Sequence, residues 1–223
     1  MIENTFLFVT CVNDENLYET CVKHIGKLFV PLNCRMELFS IRGAKSMTEG
    51  YNQALQHPAK YKIYLHQDTF ILNRNFLNEL LHLFRSNPSL GLLGLIGCKK
   101  LPLSGVWWKG EDLVGKVVVS HHGTYHLVKQ REVETSYESV EAVDGLLMAT
   151  QYDIRWRDDL FKGFHFYDTS QCAEFIKKGY QVGIPKQIEP WCFHYDTTDY
   201  DKDDYKNHQD IFIQHYRDPQ PIS

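Results

Sequence analysis

Strand-length apolar runs alternating with helical patterns across the first 97 residues restrict the possible folds of this chain more than any other feature. Phe6–Val12, Met36–Ile41, Ile63–Leu65 and Leu90–Gly97 read as buried strands. Between the first two, Leu17, Cys21, Ile25, Leu28 and Phe29 recur at helical spacing, with Asn13 placed to cap, Asp14 and Glu15 in the first turn, and Pro31 just beyond. Ser46-Met47-Thr48-Glu49 has the form of a capping box, opening a helix with Met47, Tyr51, Ala54 and Leu55 inward that stops before Pro58. A third helix over Asn73–Phe84 carries Phe76, Leu77, Leu80, Leu81 and Phe84 inward. This alternation predicts a mainly parallel central sheet with helices on both faces.

Within that frame the stretch KYKIYLHQDTFIL (Lys60–Leu72) stands out. Its strand turns abruptly polar at His66-Gln67-Asp68 before Phe70-Ile71-Leu72 heads inward again. Open α/β sheets bind ligands at the carboxyl ends of their strands, and a carboxylate there needs something positive beside it. Asp68 is therefore either a ligand for a divalent cation or a cap for the helix that follows.

Composition narrows the function classes. At 223 residues the chain has ample material for a core, and 43% hydrophobic with 23% charged residues is ordinary for a globular protein. A net charge of −4 leaves no basic stripe for general nucleic-acid binding. Leu90–Gly97 is the longest apolar run and is far too short to span a bilayer. Residues 1–12 lack the pattern of a secretory signal. Six scattered cysteines without a CxxC pair fit reduced thiols, so a cytoplasmic location is expected, with attachment to the inner face of a membrane as its variant. The first strand–helix junction, Asn13-Asp14-Glu15-Asn16, carries neither GxGxxG nor a P-loop, which argues against a dinucleotide or a nucleotide phosphate on that helix start. Gly91, Gly94 and Gly97 sit inside an apolar strand and read as close backbone packing.

Beyond Cys98 the rhythm changes. Trp107-Trp108 lies in a loop between Gly105 and Gly110, where indoles either fill a core or offer flat faces to a sugar ring. Leu113–Ser120 and Tyr125–Val133 read as strands joined through His121-His122-Gly123; neighbours on a strand face opposite ways, so these histidines do not make a metal pair. Val140–Thr150 is an apolar strand interrupted by Asp144-Gly145, where Asp144 is either satisfied by backbone amides or a site residue. KGFHFYD (Lys162–Asp168) leads into a helix with Cys172, Phe175 and Ile176 inward and Gly179 at its end. Asp168 either caps that helix or stands at a pocket mouth to accept a proton. Tyr180–Pro185 is a further strand, and Trp191-Cys192-Phe193 approaches His194. The acidic stretch Thr197–Asp210 predicts a mobile tail or a solvated helix, anchored by Ile211, Phe212 and Tyr216.

The order of SMTEGYNQAL (46–55), YLHQDTFI (64–71), VDGLLMAT (143–150) and FHFYDTSQCAEFIKKGYQVGIP (164–185), then His194, resembles a glycosyltransferase of the GT-A fold. It is similar to inverting family 2 enzymes, and most to the streptomycin-biosynthesis-type branch. The resemblance covers Phe6 to about His194. It implies one α/β GT-A domain with a mainly parallel sheet flanked by helices and a smaller acceptor-side β region. Residues 1–98 would bind the nucleotide sugar, 99–196 would form the acceptor and catalytic half, and 197–223 a tail.

By the same resemblance Asp68 matches the last residue of an Asp-X-Asp motif that binds Mn²⁺ or Mg²⁺ on the donor diphosphate. His66 stands where the motif has its first Asp, and His194 matches a histidine completing the metal site. Asp168 matches the catalytic base and Asp144 a position near donor sugar and acceptor. Thr10, Cys11 and Asn13 fall where the first strand meets base and ribose, and Arg42, Asn52 and Gln67 lie in segments lining the same cleft. The implied partners are a nucleotide-sugar donor, a UDP-sugar foremost, and a glycan, lipid-linked or small-molecule acceptor. Two other readings are a GT-A protein that binds nucleotide or glycan without turnover, and a metal-dependent nucleotidyltransferase.

Overall fold

The computed structural model describes residues 2–121, 123–196 and 201–217. The chain runs β1 (Ile2–Val12), α1 (Glu15–Ile25), β2 (Arg35–Arg42), α2 (Met47–Gln53), β3 (Ala59–Leu65), β4 (Thr69–Ile71), α3 (Phe76–Ser86), β5 (Leu90–Leu93) and β6 (Ile96–Lys100). It continues through β7 (Glu111–His121), β8 (Thr124–Lys129), β9 (Tyr137–Val140), β10 (Ala142–Val143), β11 (Leu147–Thr150), α4 (Tyr167–Lys177), β12 (Gln181–Pro185), β13 (Cys192–Asp196) and α5 (Lys202–Tyr216).

A seven-stranded sheet has the order β2-β1-β3-β11-β5-β12-β9. Its β2-β1-β3 block is parallel, as the strand–helix rhythm predicts. Antiparallel β11 inserts between β3 and β5, so the sheet as a whole is mixed. A second sheet has the order β10-β6-β7-β13-β4, with β8 paired to β7. Two single strands expected from the sequence are in fact divided between the sheets. The 90–97 run breaks at Gly94-Leu95 into β5 and β6, and the 140–150 run into β9, β10 and β11. An unbroken apolar run records burial, not which sheet buries it, so the bend between sheets leaves no trace in periodicity. At the bend a Cβ on Gly94 would lie 2.5 Å from Val143 Cβ, and within β6 one on Gly97 would lie 2.0 Å from the Ala142 carbonyl oxygen, so these glycines serve close packing in place of a phosphate cradle.

The core follows the predicted faces. Phe6, Phe8, Ile63 and Leu65 pack with Phe76, Leu77, Leu80 and Phe84 of α3 on one side of the large sheet. Leu7, Val9, Tyr51, Tyr64 and Trp156 pack on the other. Local details differ from expectation at helix ends, where the residue with the better hydrogen bond wins. Asp14, not Asn13, caps α1, its carboxylate accepting from the Asn16 and Leu17 amides. In the capping box of α2, Ser46 accepts from the Glu49 amide, while Glu49 reaches back to the Lys45 amide instead of that of Ser46. Helix α3 starts at Phe76, three residues later than predicted, and Phe29, Leu72 and Ile176 are exposed. Gly179 adopts φ +83 just past α4, the left-handed turn that ends a helix.

Helix α5 is formed and docked: Phe212 is fully buried against Val106, Phe161 and Phe166. Thr197–Tyr200 and His122 lie outside the described residues. Among the described residues the six cysteines form no disulfide, and no helix is long and apolar enough to cross a membrane.

The Tyr51 ring packs at a tilt or edge-on against Tyr64, Trp156 and Tyr167, but its buried hydroxyl has no hydrogen-bond partner. Leaving such a group unpaired costs about 1–3 kcal/mol. Tyr51→Phe is therefore expected to raise stability by about 1 kcal/mol, seen as a higher urea midpoint at unchanged m-value; a lower midpoint would show that the hydroxyl is paired.

Candidate active site

Because β1, β2 and β3 are parallel, their carboxyl ends come out together, and the candidate site lies there. β3 ends at Leu65, and the chain turns through His66-Gln67-Asp68 into β4, crossing from the large sheet to the small one. Three backbone bonds hold this turn: His66 N donates to Leu146 O, Thr69 N to His66 O, and Tyr195 N to Asp68 O. The last of these brings β13, and with it His194, beside Asp68. His194 Nε2 lies 3.3 Å and His66 Nδ1 3.9 Å from Asp68 Oδ1. That oxygen is buried and makes no hydrogen bond. Burial pushes the Asp68 carboxyl up, but His194 and His66 together outweigh it and hold the group below its usual range.

A two-histidine, one-carboxylate set with ligand atoms within 4.8 Å of one another is a fitting cradle for a divalent cation, and an Asp68 oxygen that faces both imidazoles without a regular hydrogen bond points to one. Asp68 does not cap α3; Asn75 takes the capping position there.

Gln67 has a different task. Its Oε1 accepts from the Asn13 and Asp14 amides, both at 2.9 Å, and its Nε2 donates to Asn13 Oδ1. It ties the β3 turn to the β1–α1 junction, linking the two walls of the cleft. The cleft there measures about 470 Å³ and is lined by Cys11, Val12, Asn13, Gly43, Ala44 and Met47 together with the His66–Asp68 turn. Burial, with the Glu49 carboxylate adding to it, pushes the Cys11 thiol up to about 12, so it is an inert wall rather than a nucleophile.

A second compartment of about 230 Å³ adjoins the first and shares His66, Phe164 and His165 with it. Asp144, Asp168 and Trp108 line it. Antiparallel pairing of β11 with β3 sets Leu147 opposite Leu65, which places the preceding Asp144-Gly145 turn at the carboxyl end of β3. Asp144 Oδ1 accepts from Leu146 N at 2.8 Å, so a backbone amide partly satisfies it. Asp168 sits in the first turn of α4 without capping it; the capping position is held by Phe166. Its carboxylate instead accepts from Thr169 N at 2.8 Å and from Gly145 N at 3.1 Å, clamping the helix start to the Asp144 turn. Desolvation, reinforced by the neighbouring Asp144 charge, pushes Asp168 up to about 7.

Tyr167 joins the compartments. Its hydroxyl hydrogen-bonds His66 Nε2, and its ring passes over Gly145, where a Cβ would lie 2.1 Å from that hydroxyl. Before it, Phe166 holds φ +57, a left-handed conformation costly for a bulky residue, with Phe212 and Tyr205 of α5 packed against its ring. Burial lowers the pKa of His165, only partly offset by Asp204, so the imidazole between the compartments is neutral near pH 7.

Of the sequence-derived candidates, Cys11, Asn13, His66, Gln67 and Asp68 meet in the larger compartment, and His66, Asp144 and Asp168 in the smaller. His194 joins them through Asp68. Three others face elsewhere. Thr10 is buried within β1. Arg42 pairs with Glu15 at 2.6 Å outside the cleft. Asn52 both donates to and accepts from the Trp156 backbone. They lie in the right segments, but strand alternation and tertiary partners turn their side chains away. The sequence reading missed Gly43, Ala44, Tyr167 and Tyr205. Tyr167 directly precedes Asp168 within the 164–185 motif, so its position was available; nothing local marks Tyr205.

Comparison with known proteins gives a match of residues 7–216 to a family model described as a glycosyltransferase-like family. No curated protein matches. Among solved structures, TarS 1–349 of S. aureus in complex with UDP aligns with a TM-score of 0.55 at 9% identity, over 93% of this chain and 64% of that one. The mannosyltransferase PcManGT from Pyrobaculum calidifontis, in complex with GDP-Man and Mn²⁺, aligns with a TM-score of 0.53 at 10% identity, over 96% and 70%. TarS 1–349 in complex with UDP-GlcNAc gives 0.54 at 10% identity, over 88% and 60%. The chain thus spans less than two-thirds of the TarS chain in both complexes. At such identities the likeness is one of fold.

A methyl group at Gly145 cannot fit beneath Tyr167. Gly145→Ala is expected to displace that ring from His66 and to cost about 1–3 kcal/mol of stability, the range for overpacking. Thermal unfolding checks this, and an unchanged melting temperature would contradict the close approach.

Proposed function

The chain belongs to the glycosyltransferase-like family and has the GT-A fold, and on that premise we propose that it transfers a sugar from a nucleoside-diphosphate donor to an acceptor hydroxyl with inversion of the anomeric carbon. The order of its motifs suggests a place near the streptomycin-biosynthesis-type branch. We assign donor binding chiefly to residues 1–98 and acceptor binding and catalysis to 99–196, with 197–223 as an added segment; His194 crosses that division to complete the cation site.

One observation carries the reading: the buried Asp68 oxygen flanked by the His66 and His194 imidazoles stands in one compartment, and Asp168 stands in the adjoining one. The larger compartment takes the donor, with base and ribose against Cys11–Asn13 and Gly43-Ala44. His66, Asp68 and His194 would hold Mn²⁺ or Mg²⁺, which when bound supplies Lewis-acid stabilisation of the departing diphosphate. Asp168 accepts the proton of the acceptor hydroxyl. The acceptor oxygen attacks the anomeric carbon from the face opposite the diphosphate. A new glycosidic bond forms as the old carbon–oxygen bond breaks, and the nucleoside diphosphate leaves with the electron pair. A base whose pKa lies near 7 suits this role, because a substantial fraction is ionised at neutral pH and that fraction is basic enough to take the proton. Asp144 raises that pKa and is placed to orient an acceptor hydroxyl.

UDP-sugar and GDP-sugar panels with and without Mn²⁺ test the donor site. A donor at about 100 times its Kd is expected to add roughly 2.7 kcal/mol of stability. Asp68→Asn should remove the Mn²⁺-dependent part. Release of a nucleoside diphosphate supports sugar transfer; release of pyrophosphate supports a nucleotidyltransferase, and nucleotide binding without any transfer or donor hydrolysis supports a binding protein.

The base predicts a pH dependence. Asp168 must be ionised to accept a proton, so transfer under limiting acceptor should rise with pH, level off above about 7, and fall roughly tenfold per unit well below it. Asp168→Asn is expected to lower the rate about 10²–10⁴-fold and to abolish that limb. Near-wild-type turnover in this variant would remove Asp168 as the base.

A further inference from the structure

Trp107 and Trp108 are sequence neighbours with opposite environments. Trp107 is 8% exposed and packs into the main core, while Trp108, edge-on to it at 5.7 Å, is 48% exposed. Both line the smaller compartment, but filling a core accounts for the first indole and not for the half-exposed second. The loop that carries Trp108 is clasped to α5. Gly105 adopts φ +70 with space for a Cβ taken by Phe212, Gln209 Nε2 donates to Ser104 O at 2.9 Å, and the Tyr205 ring lies 6.0 Å from that of Trp108. An exposed indole held this firmly is a platform.

Asp144 and Asp168 line the same compartment as Trp108, and among the described residues lining it there is no Lys or Arg. Two acidic groups with no Lys or Arg beside them disfavour an anionic ring and accept hydrogen bonds from hydroxyls. The volume of about 230 Å³ falls below the ~300–1,000 Å³ typical of drug-sized ligands, so it holds one ring, with the remainder of a larger molecule extending into solvent.

Resting on the sugar-transfer reading above, we propose that the acceptor is a carbohydrate presenting an uncharged pyranose, whose apolar C–H face lies on Trp108 and whose hydroxyls are held by Asp144 and Asp168. The indole supplies face contact for the axial C–H bonds. Asp144 and Asp168 bind adjacent hydroxyls, and the one on Asp168 is the nucleophile. An acceptor bearing phosphate or carboxylate on that ring is disfavoured by the same two acidic groups. Tyr205 closes the side of the compartment, so α5 takes part in acceptor selection.

Saturation-transfer NMR on the full chain with UDP and Mn²⁺ tests this, using methyl glycosides of glucose, galactose, mannose and N-acetylglucosamine, with glucose 6-phosphate and glucuronate as charged counterparts. At least one neutral glycoside is expected to bind in the millimolar range, with saturation strongest on the ring C–H protons of one face, and the charged counterparts at least tenfold more weakly. Trp108→Ala is expected to weaken binding tenfold or more and Trp108→Phe to restore most of it, both variants being checked for cooperative melting. Charged sugars binding as well as neutral ones, or Trp108→Ala binding unchanged, would overturn the proposal. If UDP with Mn²⁺ stabilises the protein but no neutral glycoside binds, the acceptor proposal fails alone. If UDP and GDP donors with Mn²⁺ give no stabilisation at all, the sugar-transfer reading fails first.

Discussion

A buried carboxylate costs several kcal/mol unless positive partners surround it, and the placement of Asp68 obliges this protein to bring such partners from distant parts of the chain. One is its near neighbour His66; the other, His194, arrives on β13 from the far end of the sequence. Because the His66–Asp68 turn also carries the chain from the large sheet to the small one, satisfying the charge and joining the sheets are the same event. The Tyr195–Asp68 backbone bond sets the register that makes it possible. With histidines on one side and an oxygen left without a hydrogen bond, the arrangement is compact but electrostatically incomplete, which is the state expected of a cation site.

The second carboxylate, Asp168, is treated in the opposite way. It has two backbone amides and no cationic partner, and Asp144 faces it, so its proton is held more tightly than usual. One acid kept ionised and another held near neutrality, on either side of His66, is the division of roles that separates electrostatic stabilisation from proton transfer. The boundary between them is built from close contacts: Gly145 under Tyr167, Tyr167 against His66, and Phe166 in a left-handed conformation pinned by α5. Strain of about 1–3 kcal/mol at such a position persists only where the surrounding packing over-determines it, and here that packing comes from the last helix.

Much of this was legible before any coordinates. The strands of the β2-β1-β3 block, the helices between them and the polar break after β3 followed from spacing and end signals alone, and Asp68, Asp144 and Asp168 stood out as carboxylates in apolar settings. What escaped was directional. Arg42 and Asn52 were placed in the correct segments, yet Arg42 turns to Glu15 and Asn52 to the Trp156 backbone, because side-chain orientation at a strand or helix end depends on which partner lies within reach. The splits at Gly94-Leu95 and around residue 141 were invisible for a related reason: apolar character is the same whichever sheet buries it.

The sequence by itself determined the class of the fold, the sheet edge that carries the candidate site and the identity of its acidic groups. Periodicity, caps and unpaired charges are local properties, written within a few residues of where they act. Only the tertiary structure decided that His194 stands beside Asp68, that Asp168 lies one compartment away from it, and that Tyr205 of α5 walls the space over Trp108. Those relations join residues tens to more than a hundred positions apart. No local pattern encodes them; they come into being when two sheets and a terminal helix close around the end of β3.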